Sequence, residues 1–261
     1  MKRKELFQNL LNNLNEQSNE DSYKYIGTGN PNADILIIGK EAAIDEEKHK
    51  AQSGTEIANN FNDWNKIVKE GNLDPKKVAY DQHTIQYNSP LYPYRGQMLK
   101  IDDGHNGGTS RTWYNYQKLY NRIYNNDNHN IDFHEGVFLT EVNASPSPNT
   151  KNADKETIQF RKDYILSSEF IKDFPVIIIA GVGYFDTIKN SPDQLNEIEN
   201  IFDVRFREEK LAEGNDSQPY WIHRNEENKH PRLLINTYQL SMGVSDALLD
   251  EMAELVKKEI F

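Results

Sequence analysis

The run Asp34-Ile35-Leu36-Ile37-Ile38, followed at once by Gly39-Lys40-Glu41-Ala42-Ala43, decides how this chain folds. Four apolar residues in a row, three of them isoleucine, suit a strand buried on both faces; a strand with one wet face would alternate apolar with polar. Three further runs of strand length repeat the pattern, at 137–142, 176–180 and 233–235. Helical periodicity surrounds them. Leu6, Phe7, Leu10, Leu11 and Leu14 share one face of a first helix, and Trp113, Tyr116, Leu119, Tyr120 and Ile123 one face of a second, with Ser110 or Thr112 as its cap. Leu248, Leu249, Met252, Leu255 and Val256 line a last helix capped by Ser245. Strands separated by helices need right-handed crossovers, which leave helices on both sides of a parallel sheet. The expected fold class is α/β: a three-layer α/β/α sandwich with a central four-stranded, mainly parallel sheet.

The remaining segments are less regular. Residues 201–207 and 220–224 read as a small hairpin joined by the polar link 208–218, an insertion around 201–224 rather than a domain. The stretch 44–110, with Pro90 and Pro93, is expected to hold a helix near 57–68 and then to wrap the sheet edge as loop. A chain of 261 residues with 36% hydrophobic content can bury one substantial core, so 1–261 reads as a single domain.

Composition narrows the chemistry. The absence of cysteine excludes disulfides, thiolate zinc sites and cysteine-ligated iron–sulfur clusters. The seven histidines lack paired helical spacing with acidic partners, so a metal site is not expected. The basic start Met1-Lys2-Arg3-Lys4 runs into Gln8, Asn9, Asn12 and Asn13 instead of an apolar signal core, and no stretch is long enough to cross a bilayer. The expectation is a cytoplasmic protein without membrane contact. A net charge of −11 opposes extensive phosphate binding, although the field at a cleft need not match it, and leaves room for a protein partner met through the acidic surface beside DNA or a nucleotide. The stretch His223 to Arg232 is locally basic; it reads as a field at a cleft or as an ordinary solvated loop diluted by Glu226 and Glu227.

In open parallel sheets, ligands bind beyond the carboxyl ends of the strands, so the loops after the apolar runs are where chemistry belongs. Three of them carry suitable residues. Gly39 allows a ligand close to the backbone, and Glu41 can activate water or simply favour a helix N-terminus by its charge. Thr140-Glu141-Val142-Asn143-Ala144-Ser145-Pro146 ends the second run, where an amide or carboxylate can read a base edge, or an Asx and Pro turn can close the strand. Asn236-Thr237-Tyr238-Gln239-Leu240-Ser241 ends the fourth. Gly181-Val182-Gly183 after the third lacks the rest of a dinucleotide fingerprint and reads as a turn. Tyr87, Tyr92 and Tyr94 read as stacking rings or as core, and Gly104, Gly107 and Gly108 as hinges for a loop bearing Arg111 and Trp113.

In order and placement, the three loops resemble the active-site motifs of the uracil-DNA glycosylase superfamily, over roughly 34–256. The first family motif begins with Gly and in one branch carries an acid two places on, followed by Pro and an aromatic. Glu41 falls on the acid, while Ala42 and Ala43 replace Pro and the aromatic, which implies a pocket open to bases other than uracil. Lys40 falls where another branch carries Glu. In the middle motif a gapless match puts Glu141 at the base-reading position, and Asn143 fits with a two-residue shift. The last motif agrees at Asn236, Leu240 and Ser241.

That resemblance implies hydrolysis of the N-glycosidic bond of a flipped, damaged or modified base, as in base-excision repair of DNA, without metal or cofactor. Glu41 would serve the water or the sugar cation, and Asn236 the departing base. Asn143 or Glu141 would read the base, Leu240 would wedge into the duplex, and Ser241 and Ser145 would contact phosphate. Leu240 reads equally as a core leucine at a loop–helix junction. Two alternatives stand beside the enzyme: an inactive module that binds nucleic acid or a nucleotide on the same scaffold, and an acidic protein-interaction factor.

Overall fold

The computed structural model describes residues 3–18, 23–41, 54–80, 86–99, 110–144, 153–187, 194–213, 218–225, 227, 229–241 and 243–261. Strands β1 (Thr28–Gly29), β2 (Ile35–Gly39), β3 (Val137–Glu141), β4 (Val176–Ala180), β5 (Arg205–Leu211), β6 (Pro219–Arg224) and β7 (Leu233–Thr237) form one sheet in the order β1-β3-β2-β4-β7-β6-β5. The middle four, β3, β2, β4 and β7, are parallel and are the four apolar runs. The sheet is wider than the expected four strands. β1 adds antiparallel to β3, and the β5–β6 hairpin adds antiparallel to β7.

The hairpin is therefore a continuation of the central sheet, not an insertion beside it. Its strands occupy 205–211 and 219–224, and residues 201 and 202 end the helix before it. Tyr220 and Ile222 on β6 are buried with the sheet core, so the hairpin both satisfies the free backbone edge of β7 and extends the apolar layer. At the opposite edge β1 lies very close to β3: a Cβ on Gly27 or Gly29 would meet the carbonyl oxygens of Leu139 or Val137 at 2.2 and 2.3 Å, and both glycines have positive φ.

Successive side chains of a strand point to opposite faces, and both faces of the parallel strands are apolar. Leu36, Ile38, Phe138, Ile177 and Ile179 meet α1 (Arg3–Gln17), α2 (Asn60–Glu70), α5 (Glu169–Lys172) and α6 (Glu197–Phe202). Ile35, Ile37, Val137, Leu139 and Ile178 meet α3 (Arg111–Tyr124) and α7 (Asp246–Ile260) on the other side. Three layers result. Ser110 caps α3 by accepting from the Trp113 amide at 3.2 Å, and Ser245 caps α7 by accepting from Leu248 at 3.1 Å. The helix expected near 57–68 is α2, a few residues later, preceded by a π-helical turn at Gly54–Ala58.

One buried cation ties the layers at the carboxyl end of β3. Arg161, last residue of α4 (Lys155–Arg161), is fully buried; its Nε donates to the Glu141 carbonyl at 2.9 Å, its Nη2 to Thr140 Oγ1 at 2.9 Å, and its Nη1 to the Tyr25 carbonyl. Among the described residues no helix is long and apolar enough to cross a membrane.

Candidate functional site

From β2 the chain crosses to β3 on one side, and the next parallel strand, β4, lies on the other side of β2. The carboxyl ends of β2 and β4 thus flank the point where the winding reverses, the place where open α/β sheets form a crevice. Glu41 and Tyr184 meet there. The Tyr184 hydroxyl donates to Glu41 Oε2, and Asn143 lies against the same hydroxyl. The β3 end is locked to the β2 loop by two backbone bonds, Val142 N to Gly39 O at 2.9 Å and Asn143 N to Lys40 O at 2.8 Å. Burial raises the pKa of Glu41, an effect opposed by the Tyr184 bond and by the Lys40 charge. Burial, then the bond to Glu41, raises that of Tyr184.

A cavity of about 570 Å³ opens next to this crevice. Asn236, Ile179 and Trp221 sit opposite one another on β7, β4 and β6, so their side chains share one face of the sheet. Asn236 lines the cavity floor with Trp221 and His223, while Phe206 and Glu209 of β5 and Tyr238 beyond β7 contribute further walls. Its other side is the β4 loop, through Val182, Gly183 and Phe185. Gly183 has φ of +102°, which a residue with a side chain rarely adopts. Asn236 is 5% exposed, yet its Oδ1 has no hydrogen-bond partner among the described residues.

The two places share one loop. Tyr184 reaches Glu41, while its neighbours Gly183 and Phe185 line the cavity. Glu41 itself is not among the described lining residues, and β2 and β7 lie two strand spacings apart, about 10 Å, with β4 between. Glu41 and Asn236 therefore occupy adjoining compartments instead of facing each other directly.

The other site residues read from the sequence fall as follows. Asn143 has no exposed surface and belongs to the Glu41–Tyr184 cluster, away from the cavity wall. Glu141 is half-buried, near Tyr116 and Arg161. Leu240 is packed in the core against α3 and α7, the second of its two readings, so it is not presented as a wedge. The carbonyls of Leu240 and Ser241 each accept from Asn115 Nδ2 at 3.2 Å, which pins this loop to α3. Ser145, Ala42 and Ala43 lie outside the described residues, as do the glycines at 104, 107 and 108.

Tyr92 is buried and bonds the Ile131 carbonyl at 2.9 Å, and Trp113 packs on His134 with centroids 4.8 Å apart, so both serve packing. The basic stretch is not a free field. His223 is a buried β6 residue, Arg224 pairs with Glu259, and Lys229 pairs with Glu227. Among the described residues no group of acidic and histidine side chains is placed to hold a metal.

Sequence reasoning missed Tyr184, Trp221, Phe206 and Glu209, and named His223 only as the start of a basic stretch. Tyr184 stands directly after the Gly181-Val182-Gly183 turn, at a strand end where ligands gather. Trp221 and His223 alternate with the core residues Tyr220 and Ile222, a period of two that marks one face of a strand. Compared with protein-family models and with curated proteins, the sequence matches none.

Proposed function

We propose that this protein receives a nucleobase in the Asn236 cavity and hydrolyses its N-glycosidic bond, in the manner of the uracil-DNA glycosylase superfamily. The observation that carries the reading is the cavity itself. It has the volume of a small-ligand site, aromatic walls at Trp221, Tyr238 and Phe206, and the Asn236 amide at its floor. The four parallel strands with helices on both faces agree with that family's sheet. With the base in the cavity, the sugar lies toward the β4 loop and Glu41. Water then adds to the sugar C1′, the C1′–N bond breaks with its electron pair passing to the base, and Glu41 takes the water's proton.

The Tyr184 bond to Glu41 favours a second reading, a base-binding module without hydrolysis, because the carboxylate is engaged and not facing the cavity. Single-turnover release of free base from duplexes carrying uracil, hypoxanthine, xanthine or bulky-modified pyrimidines separates the two. Hydrolysis predicts release that Glu41→Gln and Asn236→Ala each cut at least about ten-fold. Binding without release from any duplex supports the module, and absence of binding removes both.

A further inference from the structure

We infer that the base this cavity takes is a positively charged, N-alkylated heterocycle, an inference that rests on the nucleobase reading above. Two independent features point to it. The first is the electrostatic character of the walls. Trp221, Tyr238 and Phe206 surround the space, Glu209 adds a carboxylate, and no lysine or arginine is among the described lining residues; Phe185, whose ring already carries Lys162 Nζ at 5.0 Å from its centroid, closes one side. Trp221 and Tyr238 meet at 54° and Phe206 and His223 at 69°, so neither pair consumes its ring faces by stacking on itself. Electron-rich ring faces attract a cation, most strongly at tryptophan. The Glu209 carboxylate accepts hydrogen bonds, which suits a ring bearing N–H groups and opposes the two carbonyl oxygens of uracil.

The second feature concerns the departing base. A neutral base leaves with the electron pair of the C1′–N bond as an anion, and a cation or a strong donor must stabilise it. Asn236 offers only a neutral amide, and no lysine or arginine is among the described lining residues. An alkylated, cationic base has no such requirement. When its C1′–N bond breaks, the electron pair neutralises the ring; the water oxygen bonds to C1′, and the water's proton passes to Glu41 and then to solvent. The products are a neutral base, the free sugar and one proton. The same walls that suit the cation in the ground state need stabilise no anion afterwards.

The test is calorimetric titration at neutral pH with nucleosides. The probes are 1-methyladenosine against adenosine and 3-methylcytidine against cytidine, with 3-methyluridine against uridine as the uncharged methyl control. The expected result is binding of both cations at least about ten-fold tighter than their parents, no comparable gain for 3-methyluridine, and loss of most of the preference in Glu209→Gln. Glu209 is exposed on β5, so that variant keeps the fold. Equal binding of parents and cations overturns this inference and leaves the nucleobase reading standing. So does an equal gain for 3-methyluridine, which assigns the effect to the methyl group. Binding of none of the six nucleosides overturns the inference and the nucleobase reading together.

Discussion

The Tyr184 hydroxyl, on the residue directly after Gly183 with its positive φ, donates to the carboxylate of Glu41 across the reversal point of the sheet. The bond joins loops that follow β4 and β2, 143 residues apart in sequence. Burial raises the Glu41 pKa, and the Tyr184 bond is the first of the two influences that hold it down.

Tyr184→Phe removes that influence and nothing larger than one oxygen. The Glu41 pKa is expected to rise further, so the acidic limb of any base-release profile moves to higher pH. Stability falls by about 1 kcal/mol. A pH–rate profile and a denaturant titration of the variant check the two effects.

Glu41→Gln tests the same site from the other side. A carboxyl whose folded pKa is raised binds more protons in the folded state than in the unfolded one, so its contribution to stability falls as pH rises from the ordinary carboxylate range through the raised value. The glutamine variant is therefore expected to gain on the parent above that window and to match it below. Thermal melts across the acidic range would read the difference.

His134 carries the opposite sign. It is fully buried against Phe133 and Trp113, and burial lowers its pKa to about 3. The unfolded chain binds a proton there below the ordinary histidine range, so stability is lost as pH falls from about 6.5 toward 3. His134→Leu is expected to flatten that loss by more than about 1 kcal/mol at pH 4, measured by urea unfolding at several pH values.

Arg161→Met leaves the carbonyls of Glu141 and Tyr25 without their donor in a fully buried place. The expected loss is about 3 kcal/mol, and Arg161→Lys is expected to recover only part of it, since one ammonium cannot reproduce the planar fork. Chemical denaturation gives both values.

Asn236→Ala removes an amide whose oxygen has no partner, so it is expected to cost less than about 1 kcal/mol of stability while weakening nucleoside binding about ten-fold. Melting temperature and calorimetry on the same sample separate a damaged fold from a damaged site.

Much of this architecture is legible in short apolar runs. Ile35 to Ile38, Val176 to Ile179 and their two companions announce strands buried on both faces, because only a parallel sheet covered twice needs uninterrupted apolar residues. The hairpin was harder. Arg205–Leu211 is mostly exposed and charged, as an edge strand should be, so its membership in the main sheet depends on pairing that local composition does not encode. For the site, Glu41 and Asn236 could be picked out by their place at strand ends. The sequence carried no signal that Tyr184 would close over one of them, or that Trp221 would turn the other into the floor of a cavity. Those contacts depend on where the β4 loop and the hairpin come to rest.

That loop has two faces with different tasks: one side forms a wall of the cavity, and the other delivers the phenol to Glu41. A ligand that shifts Val182 and Phe185 is expected to shift the proton affinity of the carboxyl group behind them, and by thermodynamic reciprocity protonation would then alter its own binding. Heats of association recorded in buffers of unequal ionisation enthalpy would then disagree, and their difference would count the protons exchanged between solvent and a residue the ligand never touches.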